Sequence, residues 1–238
     1  MNEARPLAVP ILNKILNTLS NGEYSRFLAK AKRIELVYGE TIYGRGDAMR
    51  YVYFLDSGII SLLAGVGPDT AIEVGIVGRE GIIGLPVFLG VKNSSNLAIV
   101  QGAGFAMRIE ADDFLTQCES GGTLSRLLKR FTHSLLAQAS QSAACLRFHV
   151  IEHRLARWLL MTSDRMESDK FPVTQEFLSN MLGVRREAVS KAAIILQDLQ
   201  LIGYTRGRVT IKDRKGLENT ACACYGIIRD EEKSFPVQ

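Results

Sequence analysis

Glycine is spaced along this chain with a regularity that stops partway. Between Arg33 and Arg108, short apolar runs alternate with turn signals at Gly39, Gly44, Gly46, Gly58, Gly65, Gly78, Gly81, Gly90 and Gly102. The runs are RIELVY, YVYFLDSG, GIISLLAG, TAIEVGIVG and LAIVQGAGFAMRIE, rich in β-branched and aromatic residues. Turns recurring every ~8–12 residues specify a small antiparallel barrel or sandwich rather than a βαβ sheet. From Ala111 the strands stop. Residues 111–118 read as a short helix, and after Gly121-Gly122 a long one runs from 123 to about 148. Residues 1–32 also read as helical, with Leu12, Ile15, Leu16 and Leu19 at helical spacing and Asn21-Gly22 as a stop.

The change of texture predicts an α+β chain: an N-terminal antiparallel, jelly-roll-like β-roll with flanking helices, then long helices. At 238 residues the length suits more than one compact unit. Along the long helix Leu124, Leu128, Phe131, Leu135, Ser142 and Cys145 fall close to a 3,4 spacing, flanked by Arg126, Lys129, Arg130 and Gln138. Such a narrow apolar seam suits packing against a second copy of the helix; the alternative is a helix that lies on the barrel. A further helix over 150–166 follows a kink near His149, with Ser168-Asp169-Lys170 as the next loop.

The segment PVTQEFLSNMLGVRREAVSKAAIILQDLQLIGYTRGRVTIKD has its own order of elements. Thr174 is a suitable N-cap for a first helix whose buried side is Phe177, Leu178 and Met181. Leu182-Gly183-Val184 makes a tight turn, where glycine tolerates a positive φ. The second helix runs from Arg185 or Arg186 to Leu199, apolar on one side at Val189, Ala192, Ala193, Leu196 and Leu199. Its opposite face carries Arg185, Arg186, Glu187, Ser190 and Lys191 near the N-terminal end, the part of a recognition helix that enters the major groove. Arginine and lysine can donate to guanine O6 and N7, and a carboxylate can accept from cytosine N4. A plainer role for Glu187 is to stabilise the helix dipole. Two short strands then flank Thr205-Arg206-Gly207-Arg208, a hairpin whose Arg206 and Arg208 are placed to touch phosphate.

Charge agrees. The whole chain carries +4, whereas residues 170–215 hold nine basic and four acidic residues, a local +5. Apolar residues at 47% and charged at 23% are ordinary for a soluble globular protein. No apolar run reaches the ~18–20 residues of a spanning helix, and the N-terminal text lacks the order of a secretion signal, so a cytoplasmic location without membrane contact is expected. No nucleophile elbow, phosphate loop or dinucleotide fingerprint is present, and His133, His149 and His153 lack a serine or carboxylate constellation, so no enzyme is expected.

Taken together, these residues resemble the Crp/Fnr family of bacterial regulators over nearly the whole chain. GETIYGRGDAMRYVYFLDSGIISLL and GIVGREGIIGL carry the likeness to its cyclic-nucleotide-binding-like β-roll, and LGVRREAVSKAAIILQDLQLI to its recognition helix. The resemblance implies a sensor roll in 1–122, a dimerisation helix in 123–149 and a winged helix-turn-helix in 150–238. It implies a homodimer reading double-stranded DNA at a palindromic site, with RNA polymerase as a further partner. Arg186, Glu187 and Lys191 align with the family's base-reading Arg, Glu and Arg, while Arg185, Ser190, Arg206 and Arg208 would mostly position the backbone; Thr174 is the remaining expected DNA-binding residue. Lysine in the last position lacks the bidentate fork, and Arg185 stands where many members have a capping Ser or Thr. The implied dimer contacts are Leu124, Leu128, Phe131, Leu135, Ser142 and Cys145.

The family's cyclic-nucleotide binders hold the ligand with a Gly-Glu pair and a following Arg. Here those places read Gly84-Leu85-Pro86 and Lys92-Asn93-Ser94-Ser95-Asn96, without glutamate or arginine. Dependence on cyclic AMP is therefore not expected, and the effector is left open: an unidentified small molecule, haem or a redox signal remains the alternative. A cysteine cluster of the iron–sulfur sensor type is missing from the N-terminal part, where the first cysteine is Cys118. Cys145, His149 and His153 share a helical spacing that could ligate iron or another metal, but they read better as seam and helix-junction residues. Cys222 and Cys224 flank one alanine, a poor geometry for a mutual disulfide, and read as buried thiols. No metal or cofactor is expected.

Overall fold

The computed structural model describes residues 11–67, 70–119 and 121–233. A short 3-10 turn at Leu16–Thr18 leads to α1 (Asn21–Leu28). The strands β1 (Lys32–Leu36), β2 (Thr41–Tyr43), β3 (Tyr51–Leu55), β4 (Ile59–Gly67), β5 (Thr70–Val77) and β6 (Ile82–Ile83) follow, then α2 (Leu85–Phe88), β7 (Leu97–Gly102) and β8 (Gly104–Glu110). Two antiparallel sheets result, ordered β1-β8-β3-β6 and β2-β7-β4-β5. Leu36, Val52, Phe54 and Ile109 of one sheet meet Tyr43, Ile60, Val77 and Val100 of the other in one buried core. This is the antiparallel roll that the glycine spacing predicts.

The helical part comprises α3 (Ala111–Glu119), α4 (Thr123–Phe148) and α5 (Ile151–Met166). The kink near His149 is real: its backbone is extended, φ −118° and ψ 141°, between two helices. Then come β9 (Lys170–Pro172), α6 (Gln175–Leu182), α7 (Arg186–Asp198), β10 (Ile202–Thr205), β11 (Arg208–Ile211), α8 (Arg214–Thr220) and α9 (Cys224–Lys233). Lys170, placed in a loop from sequence, begins a strand, because β9 adds to the hairpin as the third strand of a sheet ordered β10-β11-β9.

The N-terminal helix differs from expectation. Asn21-Gly22 opens α1 rather than stopping a helix, because Ser20 and Glu23 form a reciprocal capping box at that point. Residues 1–10 of the expected helix lie outside the described residues. Ile15 and Leu16 are fully buried, but Leu12 is 45% exposed.

The roll and the winged unit share a core. Ile59, Leu63 and Ile76 face away from the roll interior and join Leu155, Trp158, Leu159, Leu178 and Leu196 in a second cluster. The sheet ordered β2-β7-β4-β5 is therefore packed on both faces. On its outer face Ser61, Glu73 and Gln101 would be stranded polar groups, so they bond one another and α5. Ser61 Oγ lies 2.7 Å from Glu73 Oε2 and 2.6 Å from Gln101 Oε1, and Gln101 Nε2 donates to Thr162 Oγ1 at 2.9 Å. Burial raises the Glu73 carboxyl to about 7, against the pull of Ser61, Arg157 and Arg165. An ion cluster closes the same seam: Arg165 of α5 bonds Glu80 of the roll at 2.9 Å and also Glu232 of α9.

Candidate nucleic-acid interface

Thr174 caps α6 as predicted, its Oγ1 accepting from the Phe177 N–H at 3.1 Å. Gly183 ends α6 at φ 61°, in the left-handed region. Space as well as conformation demands glycine there, since a Cβ would come within 2.5 Å of Ile72 Cδ1 on β5. Arg154 of α5 donates to the Leu182 carbonyl, satisfying part of the α6 C-terminus from below. Trp158 packs edge-on against Phe177 with ring centroids 6.4 Å apart. The helix pair is thus seated on α5 by buried contacts, and its outer face is fixed by that seat.

On α7, Val189, Ala192, Ala193 and Leu196 are buried as expected. Leu199 is not: it lies at the helix C-cap and is 57% exposed, because the chain has already turned toward β10. Arg185 occupies the N-cap without a side-chain cap bond, as its residue type predicts. Arg185, Arg186, Glu187 and Lys191 are all exposed. Among the described residues none of them forms a salt bridge. Ser190 is half-buried, its Oγ 2.7 Å from Gln175 Oε1 and 3.1 Å from the Arg186 carbonyl, so its proton is already engaged in tying α7 to α6.

The wing tip is a two-residue turn between Thr205 and Arg208, which pair across the hairpin. Arg206 and Gly207 both take positive φ, 50° and 72°, as a type I′ turn requires. Gly207 also accepts from the Val173 N–H at 2.8 Å, which pins the tip beside Thr174 and the start of α6. Arg206 and Arg208 are exposed. Arg214, counted in the local basic excess, is committed elsewhere: it pairs with Asp164, with Glu218 at 3.2 Å and with the Tyr225 hydroxyl at 3.1 Å.

The long helix carries two stripes. Leu124, Leu128 and Phe131 are buried within the chain against the roll, with Phe131 lying over Gly81. Leu135 is partly buried on the same cluster, and Ser142 and Cys145 are buried farther along. Gln138 clasps β5 by accepting from Ile76 N at 2.5 Å and donating to Ile76 O at 3.2 Å. The stripe expected to meet a second copy is therefore occupied by the chain's own packing. The face left open runs through Leu136 (64% exposed), Ala139, Ala143 and Leu146 (38%), again at 3,4 spacing.

Between this helix and the roll lies a cavity of about 240 Å³, lined by Leu62, Val74, Gly75, Leu85, Asn96, Thr132, Leu135, Leu136 and Ala139. None of these residues is charged. Elsewhere, the end of α4 meets the link between α8 and α9. Cys145, His149, Cys222 and Cys224 place their ligand atoms within 4.8 Å of one another; His153 is not among them. The hydrogen bond from Cys222 holds the Cys145 thiol down at about 5 despite burial, with Arg157 adding to the effect. Sequence spacing shows Cys145 and His149 as helical neighbours, but nothing in it brings Cys222 and Cys224 to them.

No helix of the described residues is long and apolar enough to cross a membrane. Residues 153–220 match the family model of the Crp-like helix-turn-helix domain. No curated protein sequence matches the chain. Among solved structures it is similar to FixK2 from Bradyrhizobium japonicum, with 18% identity and a TM-score of 0.69 over 81% of this chain and 98% of that one. A CRP-family transcriptional regulator from Thermus thermophilus gives 25% identity and a TM-score of 0.65 over 80% and 96%. CLP, the c-di-GMP-responsive global regulator of Xanthomonas campestris, gives 20% identity and a TM-score of 0.66 over 81% and 99%. The chain has the fold of the Crp/Fnr-type transcription regulators, with a Crp-like helix-turn-helix domain at residues 153–220.

Proposed function

We propose that the chain acts as a homodimeric, sequence-specific regulator whose two α7 helices enter successive major grooves of a palindromic site. The half-sites would lie about 34 Å apart, one helical turn. One observation carries this reading. Arg185, Arg186, Glu187 and Lys191 are exposed and outside every salt bridge among the described residues, on a helix end held rigidly from beneath and flanked by the pinned wing tip. Groups left without ion partners on a fixed frame are available to phosphates and base edges. Arg186, Glu187 and Lys191 read bases; Thr174, Arg185, Arg206 and Arg208 position the DNA backbone, and Ser190 does so indirectly by tying α7 to α6.

The functional division is a sensor roll in 1–122, a dimer helix in 123–149 and the DNA-binding unit in 150–238. Dimerisation uses the open α4 face through Leu136, Ala139, Ala143 and Leu146, where small residues let two helices approach closely. Activity does not depend on cyclic AMP or cyclic GMP. The uncharged lining of the cavity beside α4 supports this, since a cyclic phosphate needs a cation or an array of backbone donors. RNA polymerase is the partner such a regulator would meet at a promoter.

The test is selection of bound sites from random DNA, with and without cell extract, followed by two substitutions. Glu187→Ala should relax preference at one base pair per half-site. Arg208→Ala should weaken binding to every sequence alike and reduce the salt slope by about 1. Recovery of no common sequence, or equal loss from both substitutions on every sequence, defeats the reading.

A further inference from the structure

We propose that Cys145, His149, Cys222 and Cys224 form a tetrahedral site for a thiophilic divalent cation, zinc by its ligand set. Three thiolates and one imidazole are the donor set of structural zinc centres. Their positions suit it. With zinc–sulfur bonds of about 2.3 Å and zinc–nitrogen bonds of about 2.0 Å, neighbouring ligand atoms in a tetrahedron stand roughly 3.5–3.8 Å apart. Cys145 Sγ lies 3.4 Å from Cys222 Sγ, and Cys224 Sγ lies 3.5 Å from His149 Nδ1. All four ligand atoms fall within 4.8 Å of one another. The ligands come from two distant parts of the chain: Cys145 from the last turn of α4 and His149 from its C-cap, Cys222 from the α8–α9 link and Cys224 from the start of α9.

The surroundings are those of a site rather than a chance meeting of apolar thiols. Gln141 donates its amide to Cys224 Sγ at 3.0 Å, the kind of outer bond that orients a metal ligand. Arg154 and Arg157 are buried close enough to act electrostatically on Cys145 and Cys222, and each leaves an Nε without a hydrogen-bond partner. Arg157 also faces Glu73, but the groups that act on the charge of Arg154 are Cys145, Cys222 and Arg157, so four neutral ligand groups would leave Arg154 without a counter-charge. A zinc ion with three thiolates carries one net negative charge and supplies the missing counter-charge. Metal binding releases the thiol protons to solvent, so charge and protons balance without an oxidant.

The position gives the site a mechanical role. His149 is the extended residue between α4 and α5, and the cation would tie it to α9, which packs along α4. The joint between the long helix and the DNA-binding unit would then be set by coordination.

The full-length protein, purified under reducing conditions and dialysed, should hold one zinc per chain by elemental analysis. Replacement by Co2+ should give the intense d–d bands of tetrahedral cobalt and a sulfur-to-metal charge-transfer band. Cys222→Ser and Cys224→Ser should fall from one zinc per chain to none, whereas Cys118→Ala, buried in the roll, should keep one. If a serine variant fails to fold, the wild-type cobalt spectrum still decides. Absence of stoichiometric zinc together with absence of the cobalt bands overturns the proposal. So does an iron–sulfur chromophore, or a Cys145–Cys222 disulfide that forms equally fast in zinc-loaded and zinc-free protein.

Discussion

The guanidinium of Arg165 on α5 lies between Glu80 and Glu232, its side chain only 4% exposed, whereas Arg186 at the start of α7 stands in solvent and enters no salt bridge among the described residues. Glutamates repeat the contrast. Glu80 is buried, and although burial alone would raise its carboxyl, Arg165 and the Gly78 N–H hold it below the usual range. Glu187 is exposed beside Arg186. Residue type therefore says little about role in this chain. A charge withdrawn from water has been committed to holding the roll, α5 and α9 together. A charge left in water on a rigid helix end is still free to bind.

The widest separation between the two sets should appear in stability. Arg165→Ala strands the buried Glu80 and the half-buried Glu232 in the seam, and removing one partner of a buried cluster costs about 3–5 kcal/mol. Urea unfolding should show that loss, while Arg186→Ala should stay within about 0.5 kcal/mol of wild type, as exposed substitutions do. A small effect of Arg165→Ala would mean that water already reaches the seam.

DNA binding should reverse the order. Arg186→Ala should cost about 1–3 kcal/mol of discrimination at its base pair, measured by competition between the selected site and single-base variants. A uniform loss on all variants would move Arg186 to the phosphate-contacting group and narrow base reading to Glu187 and Lys191.

The same contrast explains what could be read from the sequence. The strands of the roll, the glycine turn at Gly183, the N-cap at Thr174 and the charged face of α7 are local patterns, decided by residues a few positions apart. Asn21-Gly22 misleads because Ser20 and Glu23, on either side, override a breaker with a capping box. The stripe on α4 misleads because a helix can carry two apolar stripes, and periodicity does not say which one the same chain covers. Ser61, Glu73 and Gln101 look like ordinary outward strand positions, and only the arrival of α5 covers that face. The cysteine cluster is the extreme case, since Cys145 and Cys222 meet across 77 positions.

Glu73 offers the smallest and most specific test of the seam. Its carboxyl is raised from 4.5 to about 7, first by burial, with Ser61, Arg157 and Arg165 pulling the other way. Between those values the folded chain keeps a proton that the unfolded chain has lost, so stability is greatest below about 4.5 and declines as pH rises through about 7. Glu73→Gln cannot ionise and should remove this component. The quantity to follow is the difference between wild type and variant in urea midpoint from pH 5 to pH 8, which cancels every titration the two proteins share. That difference should shift in favour of the variant as pH rises, by less than the loss from Arg165→Ala because Glu73 is only partly withdrawn from solvent. Parallel curves would show that the Glu73 carboxylate is accommodated in the seam at no cost, leaving Arg165, Glu80 and Glu232 as the charges that hold the winged unit against the roll.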